Sequence, residues 1–228
     1  MPVPELLLID KPAEMTSFDV IRALRAKTGV KKFGHAGTLD PAATGLLVIG
    51  VGPGTKQLSR LTKLDKEYEA TVFLGVATTT SDRDGEVVRS KPVVLTTELK
   101  KQIVKTVGSL VGETELPVSA YSAIKRDGVP MYKRARAAAA RGEMIDDLPV
   151  RVMYVYEVEV INMYPETFQN QNGIALQTRF FVASGTYIRS LAEEIGRQLG
   201  LPACLTALRR TRVGDYSITD AKQLDEVK

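Results

Sequence analysis

Glu67-Tyr68-Glu69-Ala70-Thr71-Val72-Phe73-Leu74 is the stretch on which the fold turns. Tyr68, Ala70, Val72 and Leu74 fall on one side of an extended chain, and Glu67, Glu69 and Thr71 on the other. This period of two predicts a half-buried strand. Moving toward the N-terminus, Thr55 opens a short helix with Leu58 and Leu61 as its apolar side, and Leu46 to Val51 reads as a second, apolar strand. Lys31 to Gly45 is rich in Gly, Thr and Pro and reads as a loop. Thr16 with Asp19 three residues on forms a capping-box pattern. Phe18, Ile21 and Leu24 follow at helical spacing up to Gly29. Leu6 to Ile9 reads as a short strand that ends at Asp10-Lys11-Pro12.

Toward the C-terminus, Thr78 to Gly85 is a polar loop, and Leu99, Ile103, Val107 and Leu110 mark a helix. The alanine-rich Tyr132 to Arg141 favours helix. Val150 to Val160 alternates, with apolar residues at the even positions, and predicts a long strand. Ile174 to Ala183 predicts another, after a loop at Asn170 to Gly173. Ser184-Gly185-Thr186 caps a helix in which Tyr187, Leu191 and Ile195 recur every four residues, ended by Gly200 and Pro202. Arg209 to Val213 supplies one more strand. The chain contains no internal repeat and no linker. Strands and helices mix with hairpin-like neighbours, which predicts an α/β (α+β-like) fold with a mixed sheet, as one domain over residues 1–228.

The 228 residues suffice for a sizeable apolar core, and 44% hydrophobic with 25% charged residues is ordinary for a globular chain. No run approaches the roughly 20 apolar residues of a membrane span. The opening apolar run is only Leu6 to Ile9 beside an acidic flank, so no signal peptide is expected. Single Cys204 excludes an internal disulfide and points to a reducing, cytoplasmic setting. One Cys and one His leave no structural zinc site, and no metal is assigned. Net charge is +4, yet Lys125, Arg126, Lys133, Arg134, Arg136 and Arg141 stand between Val118 and Gly142 against only Asp127, a local +5. Such a surplus serves phosphate contact or a solvated helix face.

The segment richest in chemistry is Gly34-His35-Ala36-Gly37-Thr38-Leu39-Asp40-Pro41-Ala42-Ala43-Thr44-Gly45. Three glycines and a proline punctuate a loop leading into an apolar strand, where reactive groups commonly sit. Pro41 restricts the backbone of Asp40 and so helps aim its carboxylate. On the residues alone, Asp40 is either a reactive group or a shaper of the turn, and His35 either catalytic or structural. No nucleophile-elbow sequence supports a Ser-His-Asp triad. Gly50-Val51-Gly52-Pro53-Gly54-Thr55-Lys56 follows a strand and opens a helix as a phosphate loop does. Its Gly-Thr-Lys order and glycine spacing fail the template for a nucleotide-binding enzyme.

The same loop resembles the catalytic loop of the TruB-type tRNA pseudouridine synthases. Five further segments resemble that family in the same order: Leu8-Ile9-Asp10-Lys11-Pro12 with Thr16-Ser17; Lys66-Glu67-Tyr68; Tyr121-Ser122-Ala123-Ile124-Lys125 with Gly128, Tyr132 and Ala135-Arg136; Ser184 to Leu191; and Leu208-Arg209-Arg210-Thr211. The resemblance implies a pseudouridine synthase fold, with a central mixed, largely antiparallel sheet, flanking helices and a basic RNA-gripping insertion at about 116–148. It implies isomerisation of a tRNA uridine, most closely uridine 55 of the T-loop, by base flipping. A non-catalytic RNA-folding module is the alternative. Two departures stand out. Thr79 replaces the family's usual Asp, leaving Asp82 and Asp84 as the carboxylates of that loop. The PUA domain common after the catalytic domain has no counterpart before Lys228.

By the same resemblance, Asp40 is the nucleophile and Arg189 its partner, keeping it ionised through a bidentate contact. Whether Asp40 attacks the ribose, attacks the base or removes a ribose proton stays open. Tyr68 stacks on the base, Tyr187 lines the pocket, His35 fills the space the base leaves, and Asp82, Asp84 and Lys11 complete the substrate site. For Tyr68 a plain core role, and for Arg189 a structural ion pair, remain alternatives. The insertion cations grip phosphates of the tRNA T-arm. Isomerisation involves no redox change, so no cofactor is expected. Neither is an obligate protein partner, and the expected state is a monomer.

Overall fold

The computed structural model describes residues 3–122, 124–143, 145 and 147–227. Ala123, and with it one residue of the Tyr121–Lys125 motif, lies outside the described residues, as do Met144 and Asp146 of the insertion. The chain opens with β1 (Leu6–Lys11), α1 (Ser17–Thr28), β2 (Phe33–His35) and β3 (Thr44–Val51), then α2 (Leu58–Leu61) and β4 (Lys66–Leu74). It continues through a small hairpin, β5 (Val76–Thr78) and β6 (Val87–Ser90), to α3 (Thr97–Gly108) and β7 (Gly112–Pro117). The insertion holds β8 (Lys125–Arg126), β9 (Val129–Pro130) and α4 (Met131–Ala139). Two long strands, β10 (Val150–Phe168) and β11 (Gln171–Val182), precede α5 (Ile188–Leu199), β12 (Ala203–Val213) and β13 (Tyr216–Ser217).

One sheet organises the molecule, in the order β1-β3-β12-β4-β11-β10-β7, with β2 added to β3 and β13 to β12. Every pairing is antiparallel except β3 with β12, where Arg209 and Arg210 lie opposite Thr44 and Gly45. The mixed, largely antiparallel sheet is therefore as expected, and β4 sits at its centre. Tyr68, Ala70, Val72 and Leu74 of β4 are buried in the main core, with Ile103 and Val107 of α3 and Leu191 and Ile195 of α5. Burying each of the Val, Leu and Ile side chains among them contributes roughly 1.5–3 kcal/mol. The helices thus cover the face that the alternation of residues 67–74 designates as inner.

Local signals fix the ends of elements. Thr16 and Asp19 form a reciprocal capping box on α1, and Gly29 closes it in the left-handed conformation. The segment expected as a loop from Lys31 to Gly45 includes β2 and the first residues of β3. Gly45 has φ +102°, and a Cβ there would sit 2.3 Å from the carbonyl oxygen of Arg210. Only glycine lets β3 and β12 approach side by side at this point.

In β10 the apolar even positions do not mark one buried face. Val150, Val152, Tyr154 and Tyr156 are exposed, while Met153 and Val155 are the buried residues. Register shifts against β11 at Val155/Glu157 and Val160/Asn162 exchange the two faces. After the first shift Val158 and Val160 pack on the core; after the second, Met163 does. Each bulge adds a residue to one strand, so the parity of inward positions changes along a single strand.

Candidate active site

Asp40 follows the short β2 in a loop anchored from several directions. The Ser17 hydroxyl accepts from the Leu39 amide at 2.9 Å and contacts its carbonyl at 3.2 Å. The Ala43 amide donates to the Asp40 carbonyl, and the Glu14 amide to that of Pro41. Lys11 is wholly buried, and its ammonium donates to the carbonyls of Pro12 (2.8 Å), Met15 (2.7 Å) and Pro41 (3.1 Å). Burial pulls Lys11 down to about 8, partly opposed by the charge of Asp40. Lys11 thereby ties the chain before α1 to the loop carrying Asp40.

Arg189, in the first turn of α5, is the hub of the site, with only 6% of its side chain exposed. Its Nη2 lies 3.1 Å from Asp40 Oδ2, and its Nη1 3.5 Å from Asp82 Oδ2. It also donates to the carbonyls of Thr80 (3.1 Å) and Tyr121 (3.3 Å) and to the Ser119 hydroxyl (3.2 Å). One guanidinium therefore joins the Asp40 loop, the 78–85 loop and the root of the insertion. Its contact with Asp40 reaches one carboxylate oxygen, where a bidentate pair was expected, because the rest of the fork is engaged elsewhere. The Asp40 carboxyl is pushed above the ordinary range, first by burial and then by Asp82 and Asp84; Arg189 and Lys11 oppose this. Arg189 thus acts in the expected direction, favouring the ionised form, but burial outweighs it.

Asp40 lines a cavity of about 270 Å³ together with Lys66, Tyr68, Tyr187, Arg189 and Arg210. The side chain of Asp40 keeps 38% exposure there. Tyr68 projects from β4 beside Phe180 and Arg210. Tyr187 is the residue preceding α5, and burial raises its phenol. Asp82 shares with Asp40 a second, small recess. Its carboxylate also accepts from the Thr80 hydroxyl and from the Asp84 amide at 3.2 Å. Thr79 closes the base of that loop, accepting from the Glu86 amide at 3.2 Å. Ser81 donates to Glu193 Oε1 at 2.7 Å, so α5 holds this loop by Arg189 and by Glu193 one turn on.

Other expected residues stand apart. Asp84 is exposed, its carboxyl raised by partial burial and by Asp82, and it does not face the described lining of the cavity. His35, at the end of β2, pairs with Ile49 of β3; burial, then the charge of Arg210, lowers its imidazole. Lys125 and Arg126 lie on β8, and Lys133, Arg134 and Arg136 on α4. Arg126 meets Asp147 at 2.6 Å, Arg134 meets Asp127 at 2.8 Å, and Arg141 meets Glu143 at 2.7 Å. Over 116–148 the sequence carries six basic and four acidic residues, a net +2. The +5 of the shorter window is correct as a count but stops just before the acids that pair with it.

Lys66 and Arg210 were not singled out as site residues. Lys66, pulled down to about 8 by burial and then by Arg210, donates to the carbonyls of Thr62 and Leu64 at 2.6 Å. Arg210 is 1% exposed and donates to the carbonyls of Leu46 (2.8 Å) and Gly37 (3.1 Å). Both residues lay inside quoted motifs. The opening and closing motifs also meet, since Arg209 grips Asp10 through both carboxylate oxygens, at 3.0 and 2.7 Å.

Residues 25–188 match the model of the TruB family pseudouridylate synthase N-terminal domain, and residues 189–228 match the tRNA pseudouridylate synthase B C-terminal domain. The class is that of the pseudouridylate synthases, which are isomerases. The chain is 44% identical over 220 residues to the tRNA pseudouridine synthase B of Leifsonia xyli subsp. xyli, covering 96% of this chain and 70% of that one. It is 44% identical over 225 residues to the protein of that name in Corynebacterium efficiens, covering 98% and 71%. The chain belongs to the TruB family. Among solved structures, it matches a chain of a Cbf5-Nop10-Gar1 complex with TM-score 0.70 and 25% identity, over 97% of this chain and 52% of that one. A chain of an H/ACA RNP bound to a substrate RNA containing 2′-deoxyuridine gives 0.67 and 25%, over 97% and 51%. The chain thus spans about half the length of these solved chains. The two matched family segments share one sheet, because β12 lies between β3 and β4. No helix among the described residues is long and apolar enough to cross a membrane.

Proposed function

We propose that the chain converts uridine 55 in the T-loop of tRNA to pseudouridine, with Asp40 as nucleophile. The observation that carries this reading is the 3.1 Å contact of Arg189 with Asp40 at the wall of a cavity shared with Tyr68 and Tyr187. A cavity of about 270 Å³ suits one nucleotide rather than a stacked strand. The uridine leaves the stack at a cost of roughly a few kcal/mol, offset by contacts in the pocket. Tyr68 stacks on the base, and the carboxylate of Asp40 forms a transient covalent adduct. The bond from C1′ to N1 breaks, the base turns, and C5 bonds to C1′. The C5 proton leaves and N1 gains one, so the reaction balances as an isomerisation.

In this reading residues 1–228 form one catalytic domain acting as a monomer in the cytoplasm, and the insertion at about 116–148 holds the phosphates of the T-arm. Asp82 rather than Asp84 supports substrate beside Arg189, on account of its position. Lys66 and Arg210 add positive charge beneath the nucleotide.

Release of tritium from uracil C5 of a tRNA transcript tests the reading. Wild type is expected to release it, and Asp40→Asn to lose roughly 10³-fold or more of the rate while binding tRNA. Absence of release by well-folded, tRNA-binding wild type overturns the reading in favour of an RNA-folding module. Equal release by both proteins keeps the enzyme but rejects Asp40.

A further inference from the structure

Up to the first bulge of β10, Met153 and Val155 point into the core, so the alternating apolar and aromatic residues stand on the solvent face of the sheet, opposite α3 and α5. Val152 is 54% exposed, Tyr154 41% and Tyr156 39%. The rings of Tyr154 and Tyr156 lie 4.9 Å apart, and those of Tyr156 and Phe181 5.0 Å apart. Arg212 caps the row, 4.9 Å from the Phe181 ring centre. An exposed apolar patch with a polar rim marks an interaction surface. A ladder of rings ending in a guanidinium is the chemistry that stacks unpaired bases.

Position selects the occupant. The Thr186 hydroxyl, from the cavity wall, donates to the Tyr154 carbonyl at 3.4 Å. The Tyr156 hydroxyl donates to Asp65, the neighbour of the cavity residue Lys66, at 3.3 Å. At its other end β10 begins at the foot of the insertion, where Val150 pairs with Pro117. The ladder therefore runs between the cavity mouth and the insertion, the two places where RNA is proposed to bind. Asp65 flanks the ladder, and Glu67 lies 3.7 Å from Arg212. These carboxylates disfavour phosphate, so the face takes base rings and not the backbone.

We infer that Tyr154, Tyr156 and Phe181, capped by Arg212, form a stacking shelf for unpaired nucleotides of the substrate RNA next to the uridine that enters the cavity. The inference rests on the proposed reading of the cavity as an RNA site.

Filter binding of a tRNA transcript to wild type, Tyr154→Ser and Tyr156→Ser, repeated over a range of salt, tests it. Neither ring belongs to the apolar core, so both variants are expected to fold, which circular dichroism and the melting temperature check before binding is compared. Each substitution is expected to weaken binding by about tenfold while leaving the slope of affinity against salt unchanged. Tritium release then shows a raised KM with kcat within about twofold. Unchanged affinity in both variants overturns the shelf. A lowered salt slope also overturns it, since the residues would then be serving phosphate contacts. Sedimentation showing that the substitutions dissociate a wild-type dimer, with tRNA affinity intact, assigns the face to self-association instead. If wild type binds tRNA but releases no tritium, the catalytic reading fails while the binding data still decide the shelf.

Discussion

Arginine is used in opposite ways in the cavity and in the insertion. Arg189 has 6% side-chain exposure and spreads its fork over two carboxylates, two carbonyls and a hydroxyl from three segments. Arg126, Arg134 and Arg141 have 43%, 35% and 60% exposure, and each pairs with one acid from its own segment. Buried multidentate contacts fix geometry, because every lost partner leaves a desolvated group unpaired. Exposed pairs are screened by solvent, contribute little to stability and exchange partners readily. The contrast fits the proposed reading, in which the pocket performs the chemistry and the insertion meets RNA phosphates.

The largest effect that tests this contrast is Arg189→Lys. An ammonium cannot reproduce the fork, and a small displacement of Asp40 costs on the order of 10²-fold in rate. A drop of that size in kcat/KM, against a change under threefold for Arg141→Lys, supports the contrast. Equal losses at the two positions break it. Next comes Glu193→Leu, which removes the acceptor of the Ser81 hydroxyl. Loss of one such bond predicts a roughly fivefold lower kcat. Glu193→Gln keeps the acceptor and is expected to restore the rate; failure to do so would show that the charge of Glu193 acts and not the bond.

The pH profile sharpens the account of Asp40. Its carboxyl is raised in the folded chain, so the ionised form, the nucleophile in the proposed reading, is lost on the acid side at a higher pH than for a free aspartate. Burial is the first cause, and the charge of Asp82 adds to it. Asp82→Asn removes that charge, so the acid limb of kcat is expected to move to lower pH. A limb that moves upward would contradict the arrangement. Lys11 and Lys66 act on stability in a different window. Each is held near 8, below the usual 10.5, so unfolding takes up protons between those values. Their contribution to stability therefore rises with pH from about 8 toward 10.5. Chemical denaturation across that range checks the sign, after comparison with Lys66→Met.

Much of the fold was legible where one residue pattern served one local rule. The alternation of residues 67–74 gave β4 its inner face, and Thr16 with Asp19 marked the start of α1. Tyr187, Leu191 and Ile195 marked α5, and the likeness of the 34–45 loop led to Asp40 beside Arg189. What stayed hidden depends on partners distant in sequence. The parity of β10 changes at bulges that only its pairing with β11 defines. Lys66 and Arg210 read as strand residues until β4 and β12 bring them under one cavity. The resemblance assigns Lys11 to the substrate site, but the three carbonyls around its ammonium were not legible from the sequence.

The smallest effect separates cations within the insertion. Lys133 is exposed on α4, whereas Arg141 already holds Glu143. A lysine that neutralises a phosphate releases the counterion condensed there, worth about 0.7 in the salt slope on a single strand. An arginine that must first leave its glutamate frees a carboxylate, which then takes up a cation of its own, so net ion release is small. Lys133→Gln is therefore expected to lower the slope of tRNA affinity against salt by about 0.7. Arg141→Gln should leave the slope nearly unchanged and weaken binding by less than threefold. Glu143→Gln is the inverse case: it frees Arg141, so affinity at low salt rises and the slope steepens. If Arg141→Gln flattens the slope as much as Lys133→Gln does, the internal pair does not hold in the free protein. The insertion would then present its full positive charge to RNA, as the count from Val118 to Gly142 alone suggested.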